Sequence, residues 1–183
     1  DTKDWTWVLE QPCPECGFQA ATVAGADLPR LLREAALPWP ARLAEPDAAV
    51  RPDATTWSPL EYGCHVRDVH RVFDVRVTAM LAEDDPAFAN WDQDAAAVAE
   101  RYAEQDPTTV GADLVQAAHA VAERYAAVAG AAWQRTGRRS NGSVFTVESI
   151  GRYHLHDVVH HLRDVGSETM SVHPVATSSP DMA

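Results

Sequence analysis

Residues 58–81, with the sequence SPLEYGCHVRDVHRVFDVRVTAML, carry the clearest helix signal in the chain. Ser58 is a favourable N-cap, Pro59 suits the first helical position, and Glu61 completes a capping box. Apolar side chains then recur every three or four positions, which is the pattern of an amphipathic helix. They are Tyr62, Val66, Val69, Phe73, Val77 and Met80. The acidic residues before Pro86 end the pattern, so we predict a helix that ends near Leu81.

The same reasoning predicts helices on both sides of this segment. They are a helix that begins near residue 27 and ends before Pro38, a short helix over 94–104, and long helices over 106–133 and 146–166. Residues 135–143 are predicted to form a loop, because they contain Gly137 and Asn141-Gly142. Alternation typical of strands is almost absent. The predicted fold class is therefore all-α, a bundle of four main helices with an irregular N-terminal arm.

We expect three parts in the chain. Residues 1–21 form the arm, in which Pro12 and Pro14 prevent a long helix. Residues 22–166 form the helical bundle. Residues 167–183 are polar, contain two prolines, and are predicted to form a C-terminal tail.

Charge and cysteine content narrow the class of function. The chain has 183 residues, with 15 Lys+Arg and 27 Asp+Glu, so its net charge is 15 − 27 = −12. Such an acidic chain is a poor nucleic-acid binder, and its one basic cluster is Arg135, Arg138 and Arg139. No apolar run approaches the roughly 20 residues of a membrane span. Three cysteines are typical of a reducing compartment, so we expect a cytoplasmic protein without a disulfide scaffold.

Four of the eight histidines lie in the segment YHLHDVVHH, residues 153–161. His156 and His160 are four residues apart, so on a helix they project from one face and can reach one metal ion. Asp157 and His161 have the same spacing and form a weaker alternative pair. On the helix at residues 58–81, His65 and His70 lie on opposite edges of the apolar face. Only one of these two can therefore join the pair as a third ligand.

Arg76 shares the His65 edge of that apolar face. An arginine in such a place is costly unless it is paired, so we expect either a buried carboxylate partner or an anionic ligand. Its planar fork of donors suits the carboxylate of a substrate. Arg67, Arg71 and Asp74 fall on the opposite, solvated face, and we assign them no specific role.

The arm contains Cys13-Pro14-Glu15-Cys16-Gly17, which has the spacing of half a zinc knuckle. No second Cys-x-x-Cys accompanies it. Three interpretations stay open: a second zinc site completed by two distant histidines, a redox pair, or a turn with two free thiols.

Four motifs follow one another in the chain: Trp57-Ser58-Pro59 at a helix start, His65-x-x-Asp68, Arg76, and His156-Asp157-x-x-His160-His161-Leu162. In these motifs, and over residues 25–166, the sequence resembles the DinB/YfiT-like metalloenzyme superfamily, which includes mycothiol-dependent maleylpyruvate isomerases and bacillithiol transferases. The resemblance implies a four-helix bundle with one divalent ion, zinc first and nickel as the alternative. Carried over residue by residue, the ligands are His65, His156 and His160, although some members have Glu in place of the first late histidine.

This resemblance implies an enzyme that uses the metal, and we expect His65, His156, His160 and Arg76 to form its catalytic site. Three ligands leave a coordination position open for a thiol or a water. We therefore predict a low-molecular-weight-thiol S-transferase or isomerase acting on a small molecule. A metal-dependent hydrolase and a non-catalytic metal-binding or ligand-binding module are the alternatives. Abundant Ala and Arg with little Lys indicate an actinobacterium, where the thiol co-substrate would be mycothiol; a homodimer stays open.

Overall fold

The computed structural model describes residues 5–167, which fold mainly into α-helices. Six helices, numbered in chain order, contain most of these residues. They are α1 Leu28–Ala36, α2 Trp39–Leu43, α3 Pro59–Ala82, α4 Gln93–Ala99, α5 Pro107–Ala126 and α6 Val147–Asp164. The predicted C-terminal tail lies outside the described residues, apart from Ser167.

Four of these helices form the bundle. Helix α1 packs against α5 and α6, and α3 packs against the same two helices, so the four close into a ring around one apolar core. Trp39 from the short helix α2 and Tyr125 from α5 are among the largest fully buried side chains of this core. The predicted all-α bundle is confirmed. None of the helices in residues 5–167 is long and apolar enough to cross a membrane.

The two helices that matter for the site begin where the sequence predicts. Ser58 and Glu61 form the capping box of α3, in which Glu61 N donates to Ser58 Oγ at 3.3 Å and Ser58 N donates to Glu61 Oε2 at 2.9 Å. Thr146 and Ser149 cap α6 in the same reciprocal way. Because α3 and α6 pack side by side, residues on their facing sides lie close to one another.

The predicted loop at 135–143 is wrong in part, because residues 136–139 form a strand that pairs with residues 144–146. A three-stranded sheet contains β1 Ala87–Phe88, β2 Thr136–Arg139 and β3 Val144–Thr146, with β2 in the centre. Strand β1 is parallel to β2, and β2 is antiparallel to β3. At Gly137 the backbone approaches Met80 so closely that a Cβ would lie 2.7 Å from its Cγ. The small sheet is thereby held against α3.

Helix α5 is shorter than predicted, since it ends at Ala126 and not near Trp133. The chain leaves the helical path after Ala127, since Ala129 is extended with φ −135° and ψ 147°, and Gly130 follows with a φ of +54°. A short 3-10 helix then places Trp133 parallel to the ring of Tyr125, with 6.4 Å between ring centroids. The apolar residues that suggested a continued helix therefore pack on the bundle from a separate segment.

Candidate metal centre

Side chains that can ligate a metal ion lie close together where α3, α6 and the N-terminal arm meet. Among the described residues, the ligand atoms that lie within 4.8 Å of one another fall into two groups. The first, which we call the cavity cluster, is His65, Asp157 and His161. The second, which we call the arm cluster, is Cys13, Cys16, His156 and His160.

The cavity cluster joins α3 to α6. His65 Nε2 lies 3.3 Å from Asp157 Oδ1, and His161 Nε2 lies 3.5 Å from the same oxygen. His65 is only 1% exposed, and the ring of Trp91 stacks on it with 5.4 Å between centroids. The three side chains therefore converge on one small volume at the cavity wall.

The polar atoms of the cavity cluster fit a divalent metal ion. Within residues 5–167, Nδ1 of His65 is buried without a hydrogen-bond partner, and the 3.3 Å contact between His65 Nε2 and Asp157 Oδ1 lacks the geometry of a hydrogen bond. Unsatisfied buried groups of this kind are costly unless something binds them. Two imidazoles and one carboxylate are a donor set that holds catalytic zinc and related ions.

The charges of this cluster also suit a cation. Burial lowers the pKa of His65, so its imidazole stays neutral and keeps a lone pair available. Burial acts to raise the pKa of Asp157, yet its contact with His65 and the nearby His161 hold that pKa well below the ordinary value. Asp157 is therefore an anion at neutral pH, and the cluster carries the negative charge that attracts a metal ion.

The arm cluster joins the Cys-x-x-Cys turn to α6. Cys13 Sγ lies 3.7 Å from His160 Nδ1, and His156 lies one helical turn before His160. Within the described chain, Nε2 of His156 is buried without a hydrogen-bond partner. Burial lowers the pKa of His156 to about 4, and it also lowers the pKa of His160. Both imidazoles are thus neutral donors at physiological pH.

The structure therefore separates the predicted residues. His156 and His160 lie together, as their spacing predicts, but their neighbours are the two cysteines. His65 lies with Asp157 and His161, the pair that the sequence presents as the weaker alternative. No group of ligand atoms in residues 5–167 contains His65 together with His156 and His160, and that trio stays a prediction. The spacing of Asp157 and His161 was the available signal for the missed ligands.

Both clusters border one cavity of about 240 Å³. Four aromatic side chains contribute to its walls, Trp5, Phe73, Trp91 and Tyr153, and nearly all the other lining residues are polar or charged. This volume suits a small molecule, and it lies against the ligand atoms of His65, Asp157 and His161.

Two arginines also line the cavity. Arg76 is 7% exposed, donates to the carbonyl of Ala89 at 3.2 Å, and lies over the rings of Phe73 and Phe88 at 5.3 and 5.1 Å. In the described part of the chain, it forms no ion pair with a carboxylate. Burial and the neighbouring Arg139 lower the pKa of Arg76 to about 10, which leaves it charged at neutral pH. From the sequence, Arg139 is identified only as a member of the basic cluster with Arg135 and Arg138, and its place in the cavity wall is not predicted.

A buried histidine pair lies behind the site in the bundle core. His70 Nδ1 and His154 Nε2 are 2.9 Å apart, so one ring donates to the other. Burial lowers the pKa of His70 to about 3, and burial next to His70 holds the pKa of His154 well below its ordinary value. Both rings are neutral, and His70 therefore packs in the core and does not join the metal ligands.

This pair makes the fold sensitive to acid. Because the unfolded chain takes up protons below about pH 6.5 and the folded pair does not, stability falls as the pH falls below that value. At about pH 5, each histidine that stays neutral in the folded chain lowers the free energy of unfolding by ~2 kcal/mol, and the pair lowers it by ~4 kcal/mol. Urea unfolding of metal-stripped protein at about pH 7.5 and 5 measures this loss together with that of His65, His156 and His160, whose pKa values are lowered as well. His70→Leu is expected to reduce the pH dependence of the unfolding free energy, and equal stability at both pH values would contradict the prediction.

Comparisons with known proteins agree with this architecture. A family model described as the DinB superfamily matches residues 30–165. The solved structure of YfiT from Bacillus subtilis, described as a probable metal-dependent hydrolase with an unusual four-helix bundle topology, is similar with a TM-score of 0.64. The two sequences are 17% identical, and the match covers 79% of this chain and 89% of YfiT. No curated protein matches the chain significantly.

Proposed function

We propose that this chain, which belongs to the DinB superfamily, is a metal-dependent enzyme that joins a low-molecular-weight thiol to a small acidic electrophile, or isomerises such a substrate. The observation that supports this most directly is the cavity itself. Among the described residues, it brings a three-donor metal cluster and a buried arginine without a carboxylate partner to one small space that four aromatic side chains help to line.

The ligands that we propose for the reactive metal are His65, Asp157 and His161. This set retains His65 of the predicted trio. Asp157 takes the place of His156, and His161 takes the place of His160. The three protein donors of the set leave coordination positions open. When bound, a divalent ion there supplies Lewis acidity, which lowers the pKa of a thiol or of water. Zinc is our first choice and nickel the alternative.

The side chains around the cluster have separate tasks. Arg76 holds a carboxylate of the substrate through charged hydrogen bonds, and the neighbouring Arg139 adds positive charge. The aromatic side chains of the wall cover the apolar part of the substrate. In the transfer reaction the thiol proton passes to solvent, the sulfur forms a bond to carbon, and the leaving group departs with its electron pair. In the isomerisation the same sulfur adds to an activated alkene and is later expelled.

Hydrolysis is the second candidate, and the similarity of the fold to YfiT favours it. The thiol reaction is preferred, because the described cavity walls contain no histidine beyond the two clusters to serve as a base, and their one carboxylate besides Asp157, that of Asp94, is exposed. Mycothiol as the thiol, an actinobacterial source and a cytoplasmic location stay predictions from the sequence.

The test is turnover by the metal-loaded protein. It is incubated with mycothiol, glutathione or bacillithiol and with electrophiles such as maleylpyruvate or monochlorobimane. We expect a thiol-dependent rate that the His65→Ala variant lacks. Ester or amide cleavage that needs the metal but no thiol, without any thiol-dependent rate, would instead establish the hydrolase.

Arg76 decides the substrate preference in this proposal. Replacing Arg76 with Met is expected to keep the metal and to lower kcat/KM for a carboxylate-bearing electrophile by ~10- to 100-fold, the value of charged hydrogen bonds. The loss should lie mainly in KM, and Arg76→Lys should recover part of it. Arg30→Met, at an exposed position on α1, is the matched control. An equal loss for a neutral electrophile would show that Arg76 does not bind the carboxylate.

A further inference from the structure

We propose that Cys13, Cys16, His156 and His160 bind a second metal ion, a zinc, in a closed site that fastens the N-terminal arm to α6. This site is separate from the reactive metal at His65, Asp157 and His161, and it does not depend on the proposed reaction. It corresponds to one of the three interpretations that the sequence leaves open for the Cys-x-x-Cys turn.

The distances within the arm cluster match one tetrahedral zinc ion. Bond lengths of ~2.3 Å to sulfur and ~2.05 Å to nitrogen give a sulfur–nitrogen edge of ~3.6 Å in a tetrahedral site. The distance from Cys13 Sγ to His160 Nδ1 is 3.7 Å. All four ligand atoms lie within 4.8 Å of one another. The side chains thus leave the space of one ion between them and need little movement to bind it.

The backbone of the arm is shaped to present both sulfurs to α6. Gly17 N donates to the carbonyl of Cys13 at 2.9 Å, and Cys13 N donates to the carbonyl of Phe18 at 2.9 Å. Gly17 has a φ of +75°, in the left-handed region that favours glycine. These contacts close a tight turn around residues 13–18. On the other side, α6 supplies two imidazoles that are one helical turn apart.

The donor set has the chemistry of a structural zinc site. Two thiolates and two neutral imidazoles are a known combination for structural zinc, and with a divalent ion their charges sum to zero. Both thiols are free cysteines in the structure, and binding releases their two protons to solvent. Four protein ligands leave no open position, so this ion would hold structure and not react with substrate.

The arm that this ion holds forms part of the cavity wall. Trp5 lines the cavity and packs on His160 and His156, with ring centroids 5.4 and 6.0 Å apart. Phe18 of the arm also packs on His156, with ring centroids 5.5 Å apart. The zinc therefore fixes the segment that carries Trp5, and its loss frees the arm from the reactive site.

The first experiment measures the zinc content per chain and the number of sulfur ligands on each zinc. Full-length protein, purified under reducing conditions with zinc, is analysed for zinc content and by X-ray absorption at the zinc edge. We expect two zinc ions per chain, one of them with two sulfur ligands at ~2.3 Å. Cys13→Ser and Cys16→Ser should each lose one zinc and the sulfur signal. Cys64→Ser is the matched control, because Cys64 is buried on α3 outside both clusters, and it should keep both ions.

The variants also separate this site from the reactive one. His65→Ala should lose the sulfur-free ion and keep the sulfur-ligated one, whether or not the protein catalyses a thiol reaction. Zinc without any sulfur ligand in the parent protein would overturn the proposal. So would a Cys13–Cys16 disulfide that persists in reduced, zinc-supplemented protein.

A measurement on the parent protein avoids variants that fail to fold. The arm carries chymotrypsin sites at Trp7 and Phe18, and zinc should protect them. Chelation is expected to speed cleavage at these sites and to expose two thiols to a thiol reagent, and added zinc should reverse both effects. If chelation changes neither cleavage nor thiol reactivity, the arm is not held by a metal and the proposal fails.

Discussion

Replacing Asp157 with Ala is expected to remove the metal from the cavity cluster and to lower kcat/KM by ~10³-fold. The carboxylate is the one charged donor of that cluster, and its oxygen lies between His65 and His161, at 3.3 and 3.5 Å. Two neutral imidazoles alone hold a divalent ion weakly. Lewis acidity contributes several kcal/mol to the transition state, and each 1.4 kcal/mol is a factor of about ten in rate.

The same experiment separates the two ligand sets. His161→Ala should behave like Asp157→Ala, and in both variants the sulfur-ligated zinc should remain. His160→Ala should lose only the sulfur-ligated ion and keep the cavity metal. Zinc content and turnover are measured on all three proteins. If His160→Ala instead empties the cavity and abolishes turnover while Asp157→Ala keeps both, the reactive ligands are the predicted trio of His65, His156 and His160.

The helices of the bundle could be predicted from sequence because their signals are local. The capping boxes at Ser58 and Thr146 fix the starts of α3 and α6, and the periodic apolar residues set their faces. The small sheet could not be predicted in this way. Strand β1 has two residues and pairs with β2 about fifty residues later, so neither strand is long enough to show alternation.

The metal ligands show a different limit of sequence reasoning. On α6 the pairs His156/His160 and Asp157/His161 have the same spacing, and they face directions about 100° apart. Which pair meets His65 depends on how α6 is rotated against α3, and that rotation is set by packing across the whole bundle. The arm adds a second uncertainty, because Cys13 and His160 are 147 residues apart and meet only in the folded chain.

Arg67 is the clearest correction on α3. The sequence places it on a solvated face without a specific role, but in the structure it is 6% exposed. Its guanidinium makes two hydrogen bonds to Asp68, at 2.9 and 3.0 Å, and a third to Gln105 at 2.7 Å. The segment after α4 covers this part of α3, which the periodicity of α3 alone does not reveal.

This buried ion pair predicts a large loss of stability on replacing Asp68 with Ala. Burial opposes the charge on Asp68, yet Arg67 and the hydroxyl of Tyr102, which donates to Asp68 Oδ2 at 2.7 Å, hold its pKa below the ordinary value. Without Asp68 the charge of Arg67 stays buried and loses its partner, which typically costs ~3–5 kcal/mol. Urea unfolding of the metal-stripped protein should show this as a lower midpoint with an unchanged slope.

The loss of stability in Asp68→Ala should come from the buried, unpaired charge of Arg67 and not from the loss of the carboxylate itself. Removing both partners, in Arg67→Met combined with Asp68→Ala, is therefore expected to recover most of the stability, because a buried pair replaced by apolar side chains is often nearly neutral. Tyr102→Phe, which removes one hydrogen bond to Asp68, should cost only ~1 kcal/mol. A double-mutant cycle measures the coupling of Arg67 and Asp68 directly. Additive effects of the two substitutions would mean that Arg67 reaches solvent when Asp68 is gone, and that the pair does not stabilise α3 against the segment around Tyr102.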